Sequence, residues 1–274
     1  MYYPTQVPSV LDDDFKQYVN YKEEIVEELK DFLICIWTMQ PKTNVDVIVK
    51  DIVLIDGCTE LVISYSTKQV VFAGPSLTKT AYAETTDVKS SYIGAKFKPG
   101  AFTQLTDREA QTVDGRYLFL SEVDGSFNQS SLAGLTFEGT KEFLINYLIK
   151  FANGKKPNGF VTLFDELIKN PPLKVELLYD KFHLSPRQCQ RQFIKYYGLS
   201  PQLVLQVVRF HYCLILITHG KVAPKNILDE VQFSDQSHFI REFKKHLGLT
   251  PSQYFKKLQI EIKMLQEGKD MITR

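Results

Sequence analysis

The stretch QRQFIKYYGLSP (Gln190–Pro201) is written again, fifty residues later, as IREFKKHLGLTP (Ile240–Pro251). At this offset Arg191 meets Arg241, Phe193 meets Phe243 and Lys195 meets Lys245. Gly198, Leu199 and Pro201 recur as Gly248, Leu249 and Pro251, with Ser200 answered by Thr250. A repeat of this period marks a duplicated supersecondary unit. Each copy closes a helical pattern with glycine, which stops a helix, and opens the next with Ser/Thr-Pro, an N-cap followed by proline at the first helical position. The C-terminal part of this chain is thereby limited to paired helix, turn, helix units.

The same punctuation lays out the rest of that part. VTLFDELIKN stops before Pro171-Pro172, VELLYDKF follows, and Ser185-Pro186 opens the helix that ends at Gly198. Pro201 to about Thr218 reads as one long helix, PKNILDEV as a short one, and Asp235–Leu247 as the second copy of the helix that ends at Gly198. Upstream the pattern differs. LKDFLICIWTMQ, VDVIVKDIVLI, TELVISYS, QVVFAG and SSYIGAKF are short, β-branched and aromatic runs divided by turn residues, which predicts strands. VNYKEEIVEELK fits a charged helix or a loop, and residues 102–135 mix turn signals with short apolar pieces. TKEFLINYLIKFANG is an amphipathic helix ended at Gly154. The expected division is a β-rich domain over 1–152, a linker at 153–159 (NGKKPNG) and a helical domain over 160–274. The fold class is α+β.

On a helical wheel Arg187, Arg191 and Lys195 share one face, with Cys189, Phe193, Tyr196 and Tyr197 opposite. Ser237, Arg241 and Lys245 repeat that face, with Phe239, Phe243 and Leu247 behind them. Side chains of this kind can offer paired donors to guanine and hydrogen bonds to other base edges. One such helix is most simply a solvated basic surface; two matching copies reverse the preference. Charge agrees with this. Residues 171–274 hold 16 of the 33 Lys+Arg but 9 of the 32 Asp+Glu, so a basic third sits on an acidic remainder despite a net charge of +1. A spacer helix from Pro201 to Thr218 would be about 27 Å long, close to the ~34 Å between major-groove entries on one face of a duplex.

FSDQSHFIREFKKHLGLTPSQYF (Phe233–Phe255) closely resembles the signature of the AraC/XylS family of bacterial transcription regulators, and LSPRQCQRQFIKYYGLSP (Leu184–Pro201) looks like its partner unit. The resemblance spans about residues 160–258. It implies a seven-helix DNA-binding domain with two helix-turn-helix units joined by a long helix. It also implies base reading by Arg187, Gln190 and Arg191 in the first unit and by Gln236, Ser237 and Arg241 in the second. Lys195, Lys244 and Lys245 are expected on phosphates. The sequence departs from the family where a turn glycine usually precedes each reader: His183 and Gln232 stand there, with Tyr179 and Leu228 in place of small residues. FLICIWTM, IDGCTELVISY, FAGPS and IGAKFKPGAF resemble the β-rich, cupin-like N-terminal domain of one branch, which senses a ligand or mediates dimerisation.

All five histidines lie beyond residue 182, so an imidazole-based metal site or a Ser-His or Cys-His catalytic pair in the β-rich domain is not expected. The four cysteines have no zinc-binding spacing. Asp56-Gly57-Cys58 reads as a structural turn, Lys96-Phe97-Lys98-Pro99-Gly100 lacks the spacing of a phosphate loop, and Trp37 and Tyr65 read as core more than as a ligand pocket. The N-terminal residues carry no secretory pattern, and the most apolar stretch, Leu203–Ile217, is too short to span a bilayer. The expectation is a cytoplasmic regulator, not an enzyme, with no cofactor and no membrane. Double-stranded DNA would be its partner, a small-molecule effector would act on the N-terminal domain, and a homodimer would be compatible. The alternative is an interaction protein whose degenerate helix-turn-helix domain binds other regulators.

Overall fold

A computed structural model describes residues 13–42, 48–53, 56–74, 82–87, 90–171, 174–218, 231 and 236–257. The β-rich part begins with α1 (Asp13–Tyr18) and β1 (Val19–Glu24), followed by β2 (Leu33–Pro41), β3 (Ile48–Val53), β4 (Thr59–Ser64), β5 (Val70–Ala73), β6 (Tyr82–Asp87) and β7 (Tyr92–Phe97). Then come α2 (Ala101–Thr106), β8 (Leu118–Phe119), α3 (Leu120–Val123) and α4 (Phe137–Ala152). One antiparallel sheet has the order β1-β2-β7-β4-β5-β8; β3 and β6 form a separate ribbon. The five runs read as strands are β2, β3, β4, β5 and β7. VNYKEEIVEELK is neither helix nor loop at its start: Val19–Glu24 pairs with β2 as strand β1, and only Glu27–Leu29 is helical, as a 3-10 turn. Its charges suit an end strand, where Lys and Glu discourage pairing with another chain. The strand β6 has no counterpart in the sequence reading.

The strand β7 lies between β2 and β4, so both of its edges are paired. Ile93, Ala95 and Phe97 point into the main core, where Phe72 meets Phe102 edge-on at 5.0 Å and Leu144 and Leu148 of α4 close over them. Gly94 and Lys96 point the other way. Gly94 is required there, because a Cβ would lie 2.1 Å from the Trp37 ring.

The helical part contains α5 (Gly159–Leu167), α6 (Glu176–Phe182), α7 (Pro186–Tyr197), α8 (Pro201–Thr218), α9 (Gln236–Leu247) and α10 (251–257). PKNILDEV, except Val231, lies outside the described residues, as does the Gln232 turn. Two cores share α8. Val204, Leu205, Val207 and Val208 join Phe193 and Tyr197, while Phe210, Cys213, Leu214 and Ile217 join Phe239, Phe243 and Tyr254. Apolar residues all around α8 are thus used twice, once at each end. Among the described residues no single helix is long and apolar enough to cross a membrane; α7 and α8 together pass by length and composition alone, bent by 56° at their break.

Candidate nucleic-acid interface

The start of α7 is set by a capping box: the Ser185 hydroxyl accepts from the Gln188 backbone N–H at 3.4 Å, and Gln188 Oε1 accepts from the Ser185 N–H at 3.0 Å. Its end is Gly198 at φ 68°, whose N–H reaches the Ile194 carbonyl. The second copy ends alike, with Gly248 at φ 69° donating to Lys244. Thr250 and Gln253 then form the same reciprocal cap at the start of α10. Ahead of the first reader, His183 occupies the left-handed turn at φ 51°, the conformation a glycine would take without a Cβ clash. Its N–H still closes α6 by reaching the Asp180 carbonyl.

Both readers are anchored by phenylalanines. Phe193 and Phe243 are fully buried, and each meets a tyrosine ring edge-on, Tyr197 at 5.1 Å and Tyr254 at 5.5 Å. These anchors turn the polar faces outward. Arg187, Gln190, Arg191 and Lys195 are all exposed on α7, and Gln236, Ser237, Arg241 and Lys244 on α9. Lys245 differs: it is half-buried and its ammonium lies 3.2 Å from Glu242. Gln188, which shares the α7 face, is engaged in the cap. Ile240, counted on neither face of the wheel, is exposed between Gln236 and Lys244. His246 is buried, stacked on Phe210 at 4.5 Å with Glu242 3.5 Å away. Burial holds its pKa down to about 4, against the opposing pull of Glu242.

The first reader is also docked on the β-rich domain. The 3-10 turn Ala110–Val113 and α2 pack against α7, and the Thr103 hydroxyl donates to the Lys195 carbonyl at 3.2 Å. Gln104 clamps the 153–159 segment from both sides, donating to the Lys156 carbonyl at 2.6 Å and accepting from the Asn158 N–H at 2.8 Å. Lys98 of the KFKPG segment bridges to Asp165 on α5 at 2.6 Å, and Tyr197 donates to the Phe160 carbonyl. Docking nevertheless leaves the outward face of α7 open.

Behind this contact lies a buried charge cluster. Lys96 Nζ sits 2.6 Å from Asp56 and 3.3 Å from Glu60, with its side chain 4% exposed. Burial works against its charge, but the two carboxylates outweigh it and hold the ammonium well above the usual lysine range. Burial also pushes Asp56 up, and Lys96, aided by His211 of α8, brings it below the ordinary value. Glu60, farther from the ammonium, stays raised by burial. Its other oxygen accepts from Trp37 Nε1 at 3.1 Å. Asp56 also accepts from the Cys58 N–H at 2.8 Å, and Cys58 is buried with its thiol pushed well up, first by burial and then by Asp56. Asp56-Gly57-Cys58 is therefore a structural turn. Trp37 packs on Gly94, and Tyr65 sits edge-on to Phe137 with Lys68 over its ring. Among the described residues no group of three His, Cys, Asp or Glu could hold a metal ion.

Residues 178–257 match a family model described as "Helix-turn-helix domain", and residues 26–118 match "Domain of unknown function (DUF6597)". The HTH-type transcriptional activator RhaR of Escherichia coli O139:H28 is 27% identical over 152 residues, 53% of each chain. RhaR of strain K12 is 27% identical over 131 residues, 46% of each chain. The chain spans about half the length of the curated relatives it matches. A 1.65 Å structure of ToxT from Vibrio cholerae aligns with 88% of this chain and 98% of its own, at 10% identity and a TM-score of 0.43.

Proposed function

The chain belongs to the AraC/XylS family of transcription regulators, and from that premise we propose that it binds duplex DNA at a specific sequence, reading two successive major-groove segments. The observation that carries this is the pair of readers. Each is held by a buried phenylalanine and stopped by a left-handed glycine, and each turns an exposed arginine outward at the same step of its helix. Arg187, Gln190 and Arg191 take base edges in one half-site, and Gln236, Ser237 and Arg241 in the other. Lys195 and Lys244 take phosphates. Lys245 serves a phosphate only by giving up part of its pairing with Glu242. The proposed division is a sensing or dimerising domain over 1–152, a linker at 153–159 and the reader domain over 160–274. A small-molecule effector acting on the first domain reaches the first reader through Thr103 and the Lys98–Asp165 pair. The reading places the protein in the cytoplasm and assigns it no catalysis.

Selection from a random duplex library supplies the site. Affinity for it falls by orders of magnitude between about 50 and 200 mM salt if several phosphates are contacted. Arg191→Ala and Arg241→Ala each cost about 1–3 kcal/mol on the selected site and relax base preference in different halves, roughly ten base pairs apart. Lys195→Ala weakens all duplexes alike. A folded protein indifferent to duplex DNA at low salt, or one whose preference neither arginine alters, overturns the proposal.

A further inference from the structure

The second reader carries an apolar side chain in the middle of its polar face. Ile240 is 37% exposed, one of five large apolar residues so exposed among the described residues. Gln236, Ile240 and Lys244 fall at i, i+4 and i+8 on α9, so they stack along one stripe of the helix, with Ser237 and Arg241 beside them. All four of these neighbours are exposed. The core of this unit is already filled by Phe239, Phe243 and Leu247, and Ile240 is not part of it. Ile240 therefore presents hydrocarbon to water between two groups that suit a groove.

The repeat supplies the comparison. At the fifty-residue offset Ile240 stands where the first reader has Gln190, each at the fifth residue of its helix. The phenylalanine anchor three residues on and the glycine stop are the same for both positions. The two side chains thus differ in chemistry while sharing a place. In the major groove a glutamine pairs with the N6 and N7 of adenine, whereas the one apolar group a base edge offers is the 5-methyl of thymine. We propose that Ile240 packs on a thymine methyl in the second half-site, where Gln190 reads adenine in the first, so that the two halves of the site differ at this step. The inference rests on the DNA-binding reading above and names a residue that sets its specificity.

Deoxyuridine isolates the group in question, since it differs from thymidine only by lacking that methyl. In the selected duplex, each thymine is replaced singly by uracil and binding of the full chain is measured. One position in the second half-site should lose about fourfold in affinity, the worth of burying one methyl. Ile240→Ala should abolish the difference between thymine and uracil at that position while leaving the first half-site untouched. Ile240→Gln should shift preference there from thymine towards adenine. The substitutions lie on an exposed helical face and threaten the fold little; far-UV circular dichroism checks this. If the specific duplex is bound but no uracil in the second half matters, or if Ile240→Ala keeps the uracil penalty, the inference fails while the DNA-binding reading stands. If no duplex is bound at all, both fall together.

Discussion

Replacing Lys96 by methionine tests whether the buried charge cluster holds the β-rich domain together. At an effective dielectric of about 20, an ammonium 2.6 Å from Asp56 gains roughly 6 kcal/mol of attraction, and 3.3 Å from Glu60 roughly 5 kcal/mol. Desolvation of three charges offsets most of this. Lys96→Met removes the attraction and leaves two carboxylates behind, with side chains only 12% and 22% exposed. Breaking a buried pair from one side costs about 3–5 kcal/mol. Trp37, the chain's single tryptophan, donates to Glu60. Urea unfolding followed by its fluorescence therefore reports the surroundings of this cluster. The sign with pH follows from the shifts. Asp56 lies below its ordinary value in the wild type, so its contribution is present above the unfolded value and lost as pH falls through the folded one. Glu60 lies above its ordinary value, so its ionisation costs stability as pH rises through the folded value. Without Lys96 both carboxyls rise, and acid neutralises the charges left stranded. The deficit of Lys96→Met should accordingly narrow on acidification. Asp56→Asn keeps the acceptor for the Cys58 N–H, so added to Lys96→Met it should recover part of the loss at neutral pH. A Lys96→Met protein as stable as wild type at pH 7, or a deficit indifferent to both acid and Asp56→Asn, refutes the reasoning.

His246, held down to about 4 by burial, binds a proton in the unfolded chain before it does in the folded one. Stability of the second unit is then full above about pH 6.5 and should fall by about 2 kcal/mol at pH 5; His246→Phe should remove that portion of the pH dependence in urea titrations, and an unchanged slope would contradict the assignment. Relieving the left-handed His183 with glycine should stabilise the first unit by about 1 kcal/mol, seen as a rise in its unfolding midpoint; a fall would mean the His183 side chain has a role its exposure does not suggest. Exhaustive treatment with a chelator should leave the melting temperature unchanged, and a drop together with release of a stoichiometric metal would defeat that expectation.

The features determined by the sequence alone are those whose causes lie within a turn or two of helix. Ser185, Pro186 and Gln188 build a cap from neighbours, Gly198 and Gly248 stop helices in a left-handed conformation that side chains rarely adopt, and Phe193 and Phe243 sit at a fixed angle from the arginines. The helical part and both reader faces were therefore legible from spacing, and the repeat turned a weak amphipathic pattern into a specific one. Ile240 could have been found on the same wheel, where it falls on the stripe of Gln236 and Lys244, and its solvent exposure separates it from Phe239 and Phe243. Val19–Glu24, which fits a helix or a loop by sequence, is a strand because it pairs with β2; its Lys and Glu side chains give no apolar alternation that would mark it as one. Lys96 is the clearest case of a property that tertiary structure decided. In sequence it is a lysine two places before another, yet β7 lies between β2 and β4, and a turn forty residues earlier brings Asp56 to its ammonium. The docking of Thr103 on Lys195 likewise joins residues ninety-two apart. Such contacts have no local signal, since the energy that makes them comes from the packing of whole elements, and the same lysine or threonine would be solvated wherever that packing did not enclose it.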